Sequence, residues 1–222
     1  MLTGGKMEHL PVDKRRSRGE LTRMSLLEAA LFFFGERGYE GAGTREIAAR
    51  AGCNLGLIAF HFGGKEGLYN AALNIAFENL GAIIQPMIRR LREALAAGGG
   101  PASLRAALEK EITAALLALM RKKTHQSWLL LLRRSLQSGD EKSKVLYDDL
   151  FAPLHGVVCD IMQKNTAACQ EESSLRAFLL VDTMFSFLRD YPVFLSMAAP
   201  RDMEADARTM TAFLCRGLLA AS

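Results

Sequence analysis

Between Thr44 and Glu66 the chain reads TREIAARAGCNLGLIAFHFGGKE, a run with nothing catalytic in it and a spacing suited to recognition. A helix-turn-helix needs a small residue where its helices cross, a backbone-permissive residue at the turn and an apolar anchor in the second helix. Ala48, Gly52 and Ile58 meet those three demands. Thr44 can cap the first helix through its hydroxyl, and Ile47, Ala48 and Ala51 fall on one face, so Thr44 to Arg50 reads as a support helix. Gly52 breaks that helix and Asn54 caps the next. Leu55 to Phe62 then supply a short recognition helix whose exposed face would enter a DNA major groove.

Enzyme signatures fail on the same residues. Gly64-Lys65 lacks the earlier glycine and the following hydroxyl of a phosphate-binding loop, and there is no G-x-S-x-G nucleophile elbow. His9, His61, His125 and His155 form no H-E-x-x-H motif. A metal site would have to be assembled from distant residues, for example around His155 and Cys159 one turn on; neither a metal nor a cofactor is expected.

The recognition pair needs a third helix to hold it. From Thr22 to Arg37 the apolar residues Met24, Leu27, Leu31 and Phe34 recur at helical spacing, and Gly38 follows as a left-handed stop. Ahead of this helix lies Lys14-Arg15-Arg16-Ser17-Arg18, with Arg23 a little later. The run reads either as a solvated terminus or as a flexible arm that neutralises phosphates or follows a minor groove.

With these residues in place, Leu21 to Asn70 resemble the N-terminal DNA-binding domain of the TetR/AcrR family of bacterial repressors, through the phrases T-R-E-I-A-x-x-A-G and F-x-x-K-E-x-L-Y. The match covers about a quarter of the chain. It implies an all-helical homodimer that binds a palindromic operator on double-stranded DNA and lets go when a small molecule enters its C-terminal domain. Carried over position by position, it puts Thr44, Arg45 and Lys65 at phosphates, and Asn54, Leu55, Leu57, Phe60 and His61 on the groove face. A hydroxyl, a guanidinium and an ammonium suit phosphates, and a helix N-terminus adds partial positive charge. The chain departs from the family at the last turn of the recognition helix, where Ala59 and Phe60 stand in place of a frequent tyrosine. The departure predicts few base-edge hydrogen bonds and more reliance on thymine methyls and DNA shape. Two phrases, I-A-F-H-F-G-G-K-E from Ile58 and F-A-P-L-H from Phe151, further resemble the CecR-like branch, whose members are associated with export or drug tolerance.

Half of the 222 residues are hydrophobic and 23% are charged, enough for a small domain and a larger one with its own core. The net charge of +4 is weak support for nucleic-acid binding beside the clustered basic run. No apolar stretch of signal-peptide length opens the chain and later apolar runs are broken by charge, which predicts a cytoplasmic protein without membrane contact. Cys53, Cys159, Cys169 and Cys215 form no C-x-x-C pair and read as reduced thiols; Cys53, in the turn, is assigned to packing over a redox role.

Beyond Asn70 the pattern is helical throughout. A helix from Lys65 to Ala96 carries Pro86 as a kink or break, and Gly98 to Pro101 mark a turn. Further helices fall at Ser103 to Lys123, Gln126 to Gln137, Ser143 to Lys164 with a bend at Pro153, Ser174 to Arg189, and Met203 to Leu219, with Pro192 and Pro200 bounding a short segment. The helices at Leu175 to Leu188 (Leu179, Met184, Phe187) and Met203 to Leu219 (Met210, Phe213, Leu214, Leu218) are apolar over more than one stripe, as a dimer bundle requires. Met87, Met120, Trp128, Phe151 and His155 are the candidates for lining a pocket for an apolar effector, with core packing as the alternative for each. Asp182, on an apolar helix, calls for a partner: an arginine across the dimer, or a ligand amine.

The expectation is therefore an all-α chain with a basic flexible arm (1–20), a three-helix helix-turn-helix DNA-binding domain (21–70) and a helical ligand-binding and dimerisation domain (71–222). It would act as a dimeric repressor released from its operator by a small apolar effector. The alternatives are an accessory DNA binder without effector and a helical metal or ligand sensor.

Overall fold

The computed structural model describes residues 14–121, 124–138, 141–197 and 201–219, and every regular element among them is helical. In chain order these are α1 (Lys14–Gly41), α2 (Thr44–Arg50), α3 (Gly56–Phe62), α4 (Lys65–Ala96), α5 (Pro101–Met120), α6 (Thr124–Ser138), α7 (Glu141–Leu146), a π-helical turn (Tyr147–Phe151), α8 (Ala152–Asn165), α9 (Gln170–Met197) and α10 (Met203–Leu218).

Two apolar cores organise them. The smaller joins Leu26, Leu27, Ala30 and Phe34 of α1 to Ile47 and Ala48 of α2, Ile58 of α3, and Leu68, Ala72 and Leu73 of α4. Leu27 and Phe34 take the places expected of them, but Met24 is 55% exposed, because the buried stripe runs through Leu26 and Ala30 instead. Helical geometry persists upstream through the basic run, so α1 starts at Lys14 where an unstructured arm is expected; residues 1–13 of that arm lie outside the described residues. Gly38, at φ 72°, breaks the helix near its end as expected of a left-handed stop.

The larger core gathers α4, α5, α6, α8, α9 and α10 around residues such as Leu91, Leu108, Leu116, Val158, Met162, Leu180 and Cys215. Pro86 lies inside α4, which continues as one helix. Pro101 opens α5, where its missing N–H is no loss, and α5 ends at Met120, with Lys122 and Lys123 outside the described residues. The expected single helix from Ser143 to Lys164 is divided at the π-helical turn, and Pro153 sits in the first turn of α8. Proline cannot donate to the carbonyl four residues back, and that carbonyl, of Asp149, accepts instead from Gln85 Nε2 of α4 at 3.0 Å.

Pro192 does not end α9, which runs on to Met197, while Pro200 lies outside the described residues. The neighbouring Tyr191 is buried and donates its hydroxyl to Asp206 Oδ2 of α10 at 2.9 Å, anchoring the helix there. Asp206 also accepts from Arg201 Nε at 2.8 Å. The Arg201 hydrogen bond holds the Asp206 carboxyl below the usual carboxylate range, against the opposing effect of burial, and Tyr191 adds to the lowering. Burial first, and then the bond to Asp206, pushes the Tyr191 phenol up to about 12. The depressed Asp206 stabilises the fold above its unfolded value of roughly 3.9 and ceases to do so as pH falls through its lower folded value. The raised Tyr191 acts in the opposite sense: its contribution is full below about 10 and is lost as pH rises toward 12. Melting curves taken downward from neutral pH are expected to fall more steeply below about pH 4 in the native chain than in Asp206→Asn. Equal acid slopes would mean that Asp206 carries none of the acid loss.

Candidate nucleic-acid interface

The small core leaves α3 outermost. Ala48 is buried beneath it, and its carbonyl oxygen accepts from Cys53 N–H at 3.0 Å, closing the turn in which Gly52 takes φ 67°. Ile58 is 2% exposed and anchors α3 from below. The expected caps differ in detail. The N-cap of α2 is Gly43, whose carbonyl accepts from Ile47 N–H, so Thr44 is the first helical residue. α3 starts at Gly56 after Leu55, and Asn54 takes part through its carbonyl, which accepts from Leu57 N–H at 3.0 Å, while its side chain makes no cap bond. The first turns of α2 and α3 are thus held by backbone groups, which leaves the Thr44 hydroxyl and the Asn54 amide uncommitted to caps.

On the outer surface Phe60 is 79% exposed and Leu55 is 45% exposed. His61 is half-buried, its ring edge-on to Phe60 at 4.9 Å between centroids. Leu57, expected on the open face, is half-buried against the small core, because one turn of α3 cannot turn both Leu57 and Ile58 wholly outward or inward. Arg45 is exposed and makes no hydrogen bond or ion pair among the described residues. Lys65, the first residue of α4, lies over the Tyr39 ring with Nζ 4.7 Å from its centroid and donates to the Glu40 carbonyl at 3.5 Å. Its ammonium is thus held beside the end of α1, at a helix N-terminus.

Three further arginines ring the same surface on aromatic faces: Arg23 over Phe62, Arg37 over Phe33, and Arg50 over Phe32 at 3.9 Å. Arg37 also pairs with Glu46 at 2.8 Å, joining α1 to α2. Sequence reasoning assigns nothing to Arg37 or Arg50; their spacing from aromatic residues of α1 becomes readable only once α1 and α2 are packed. A glycine sets the junction of α3 with α4. A Cβ at Gly67 would stand 1.7 Å from the Phe62 carbonyl oxygen, so α4 leaves α3 with no room for a side chain. Burial pushes the Cys53 thiol up, away from the thiolate that oxidation requires, in keeping with packing.

The candidate pocket residues divide. A cavity of about 400 Å³ opens between α6, the π-helical turn, α8 and α9, with Phe151 and His155 in its wall beside Tyr147, Phe178, Phe185 and Arg133. Met87 and Trp128 are 1% and 2% exposed and fill the larger core, and Met120 packs against that core; none of the three lines the cavity. His155 Nε2 lies within hydrogen-bond distance of both the Ser174 carbonyl oxygen, at 3.0 Å, and the Ser174 hydroxyl, at 3.1 Å, which ties α8 to α9. Asp182 is not buried: its side chain is 52% exposed and faces Arg133 of its own chain at 3.9 Å. On the outer face of α9 and α10, Leu175, Phe178, Leu179 and Phe213 are exposed, whereas Met184, Leu188, Leu214 and Leu218 are absorbed by the core. No described helix is long and apolar enough to cross a membrane.

A short helix presented outward by a three-helix unit, beneath a larger helical domain with its own cavity, defines a helix-turn-helix protein of two parts. Residues 26–72 match the family model described as bacterial regulatory proteins, tetR family. The chain is 31% identical to the HTH-type transcriptional dual regulator CecR of Shigella flexneri over 141 residues, 62% of this chain and 61% of that protein's length. It is 29% identical to the HTH-type regulatory protein RaaS of Mycobacterium tuberculosis over 76% of this chain and 70% of the relative. A TetR-like transcriptional regulator from Rhodococcus sp. RHA1 shares the fold at a TM-score of 0.61 and 18% identity, covering 90% of this chain and 96% of the other. Residues 26–72 thus resemble the DNA-binding domain of the TetR family of bacterial regulatory proteins, and the chain as a whole shares the fold of a solved TetR-like regulator.

Proposed function

We propose that this chain is a dimeric repressor that reads a palindromic operator through α3 and releases it when a small apolar molecule occupies the cavity. The observation that carries the reading is Phe60, a large aromatic ring left 79% exposed at the outer face of a seven-residue helix, in a domain that also carries an exposed Arg45 without a partner among the described residues and a positioned Lys65. An exposed ring of this kind is poorly explained by stability and well explained by a partner. Thr44, Arg45 and Lys65 would contact phosphates, while Leu55 and Phe60, with Asn54 and His61 beside them, would meet base edges and thymine methyls.

The exposed apolar side chains of α9 and α10 offer the surface for a second copy, with Leu179 and Phe213 on either side of the groove between the two helices. Two recognition helices can engage one face of the duplex only when they are about one helical turn apart, roughly 34 Å. A ligand that tilted α4 would alter that separation and break simultaneous contact. The cavity's volume and its aromatic wall suit a flat apolar effector.

The test is binding to the DNA upstream of the chain's own gene, in competition with random DNA. The native protein is expected to discriminate between the two, and Phe60→Ala to lose most of that discrimination while keeping its salt dependence, because the ring contributes no charge. Equal affinity for both DNAs in the native protein would overturn the reading in favour of an accessory binder.

A further inference from the structure

Besides α4, which runs through both cores, α6 links them. A Cβ at Gly35 would stand 2.2 Å from the Ser127 carbonyl oxygen, so α1 and α6 cross backbone to backbone. Leu131, one turn on, is fully buried in the smaller core although it belongs to the second domain. One turn further, Arg134 donates from Nε to the Gly35 carbonyl at 2.8 Å and from Nη2 to the Glu36 carbonyl at 2.9 Å. These carbonyls lie just before Gly38 breaks the helix, where the last-turn oxygens of α1 lack helical donors. The guanidinium fork thus caps α1 from the other domain, and a single ammonium could not reproduce its geometry.

The opposite side of the same two turns of α6 forms the cavity wall, through Arg133, Leu136 and Gln137. Residues 131 and 134 face the DNA-binding domain while 133, 136 and 137 face the cavity, so no displacement of this wall leaves the contact with α1 untouched. We infer that Arg134 is the positioning residue through which occupancy of the cavity reaches the DNA-binding domain, by way of α6 and the end of α1 in addition to any movement of α4. The inference rests on the reading of the cavity as the effector site.

The test uses a side chain as a surrogate ligand. Val181 of α9 lines the cavity, and Val181→Trp would fill part of it. Affinity for the upstream DNA is measured for the native chain, Val181→Trp, Arg134→Ala and the double variant, each checked by its melting curve. If Val181→Trp does not fold, Phe185→Trp, a smaller change in the same cavity, takes its place. Filling is expected to weaken binding tenfold or more in the native background and less than threefold with Arg134→Ala, and Arg134→Lys is expected to resemble Arg134→Ala. A filling penalty that is the same in both backgrounds overturns the role of Arg134. If neither filled variant changes affinity in the native background, the effector-site reading itself fails, and the inference with it.

Discussion

Gly67→Ala is expected to abolish DNA binding while leaving the larger helical domain folded. The added methyl would lie 1.7 Å from the Phe62 carbonyl oxygen and 2.9 Å from its carbonyl carbon, and both atoms are backbone. No side-chain rotation relieves such an overlap. Either α3 moves away from α4, pulling Ile58 out of the small core, or the first turn of α4 unwinds and takes Lys65 with it. Overpacking of a well-ordered site costs about 1–3 kcal/mol where neighbours can yield, and a backbone clash lies at or above the top of that range. A three-helix unit has little stability to spare. The change should register as complete loss of binding to the upstream DNA together with a partial, low-temperature unfolding step in circular dichroism. Gly56→Ala is the control: a Cβ there meets nothing within 4 Å, and its backbone is not left-handed, so stability should hold or rise slightly. Native-like binding by Gly67→Ala would mean that α3 and α4 are not packed as described.

The second large effect is expected from Arg45→Ala combined with Lys65→Ala. Arg45 is exposed without a partner among the described residues, and Lys65 is held only by a ring and one long hydrogen bond, so their removal should leave the fold intact. If each neutralises one phosphate, the slope of log affinity against log salt should flatten by about 0.9 per lost contact, or roughly 1.8 per protomer. Such a change lowers affinity for every sequence nearly equally, in contrast to Phe60→Ala. An unchanged slope would take both residues out of the phosphate contacts.

Much of the small domain was legible in the sequence because its demands are local. Ala48, Gly52 and Ile58 each answer a steric requirement set within a dozen residues, and Gly38 answers another at the end of α1. The caps were less legible. Thr44 and Asn54 are the residue types that favour N-caps, yet the chain enters α2 and α3 through backbone bonds accepted by the Gly43 and Asn54 carbonyls, a choice made by the turn's geometry and not by side-chain type. Gly35 and Gly67 could not be singled out, because what excludes their side chains is a backbone in another helix. The same reason separates Phe151 from Met87 and Trp128. All three are large and apolar at helical spacing, and only the packing of α6, α8 and α9 determines which of them meets a void. Pro192 illustrates the opposite error: a residue that breaks isolated helices is carried through by the anchored Tyr191 beside it.

The helical start of α1 bears on how far the basic run can travel. Leu26 is the first residue of that helix among those described to be buried, twelve positions after Lys14. An extended strand of that length would reach about 40 Å from its anchor, whereas a helix of the same length spans roughly 18 Å. It is also some 10 Å across, wider than the roughly 6 Å opening of a minor groove. In this form the basic run is a short rod, too thick to thread between the strands of a minor groove.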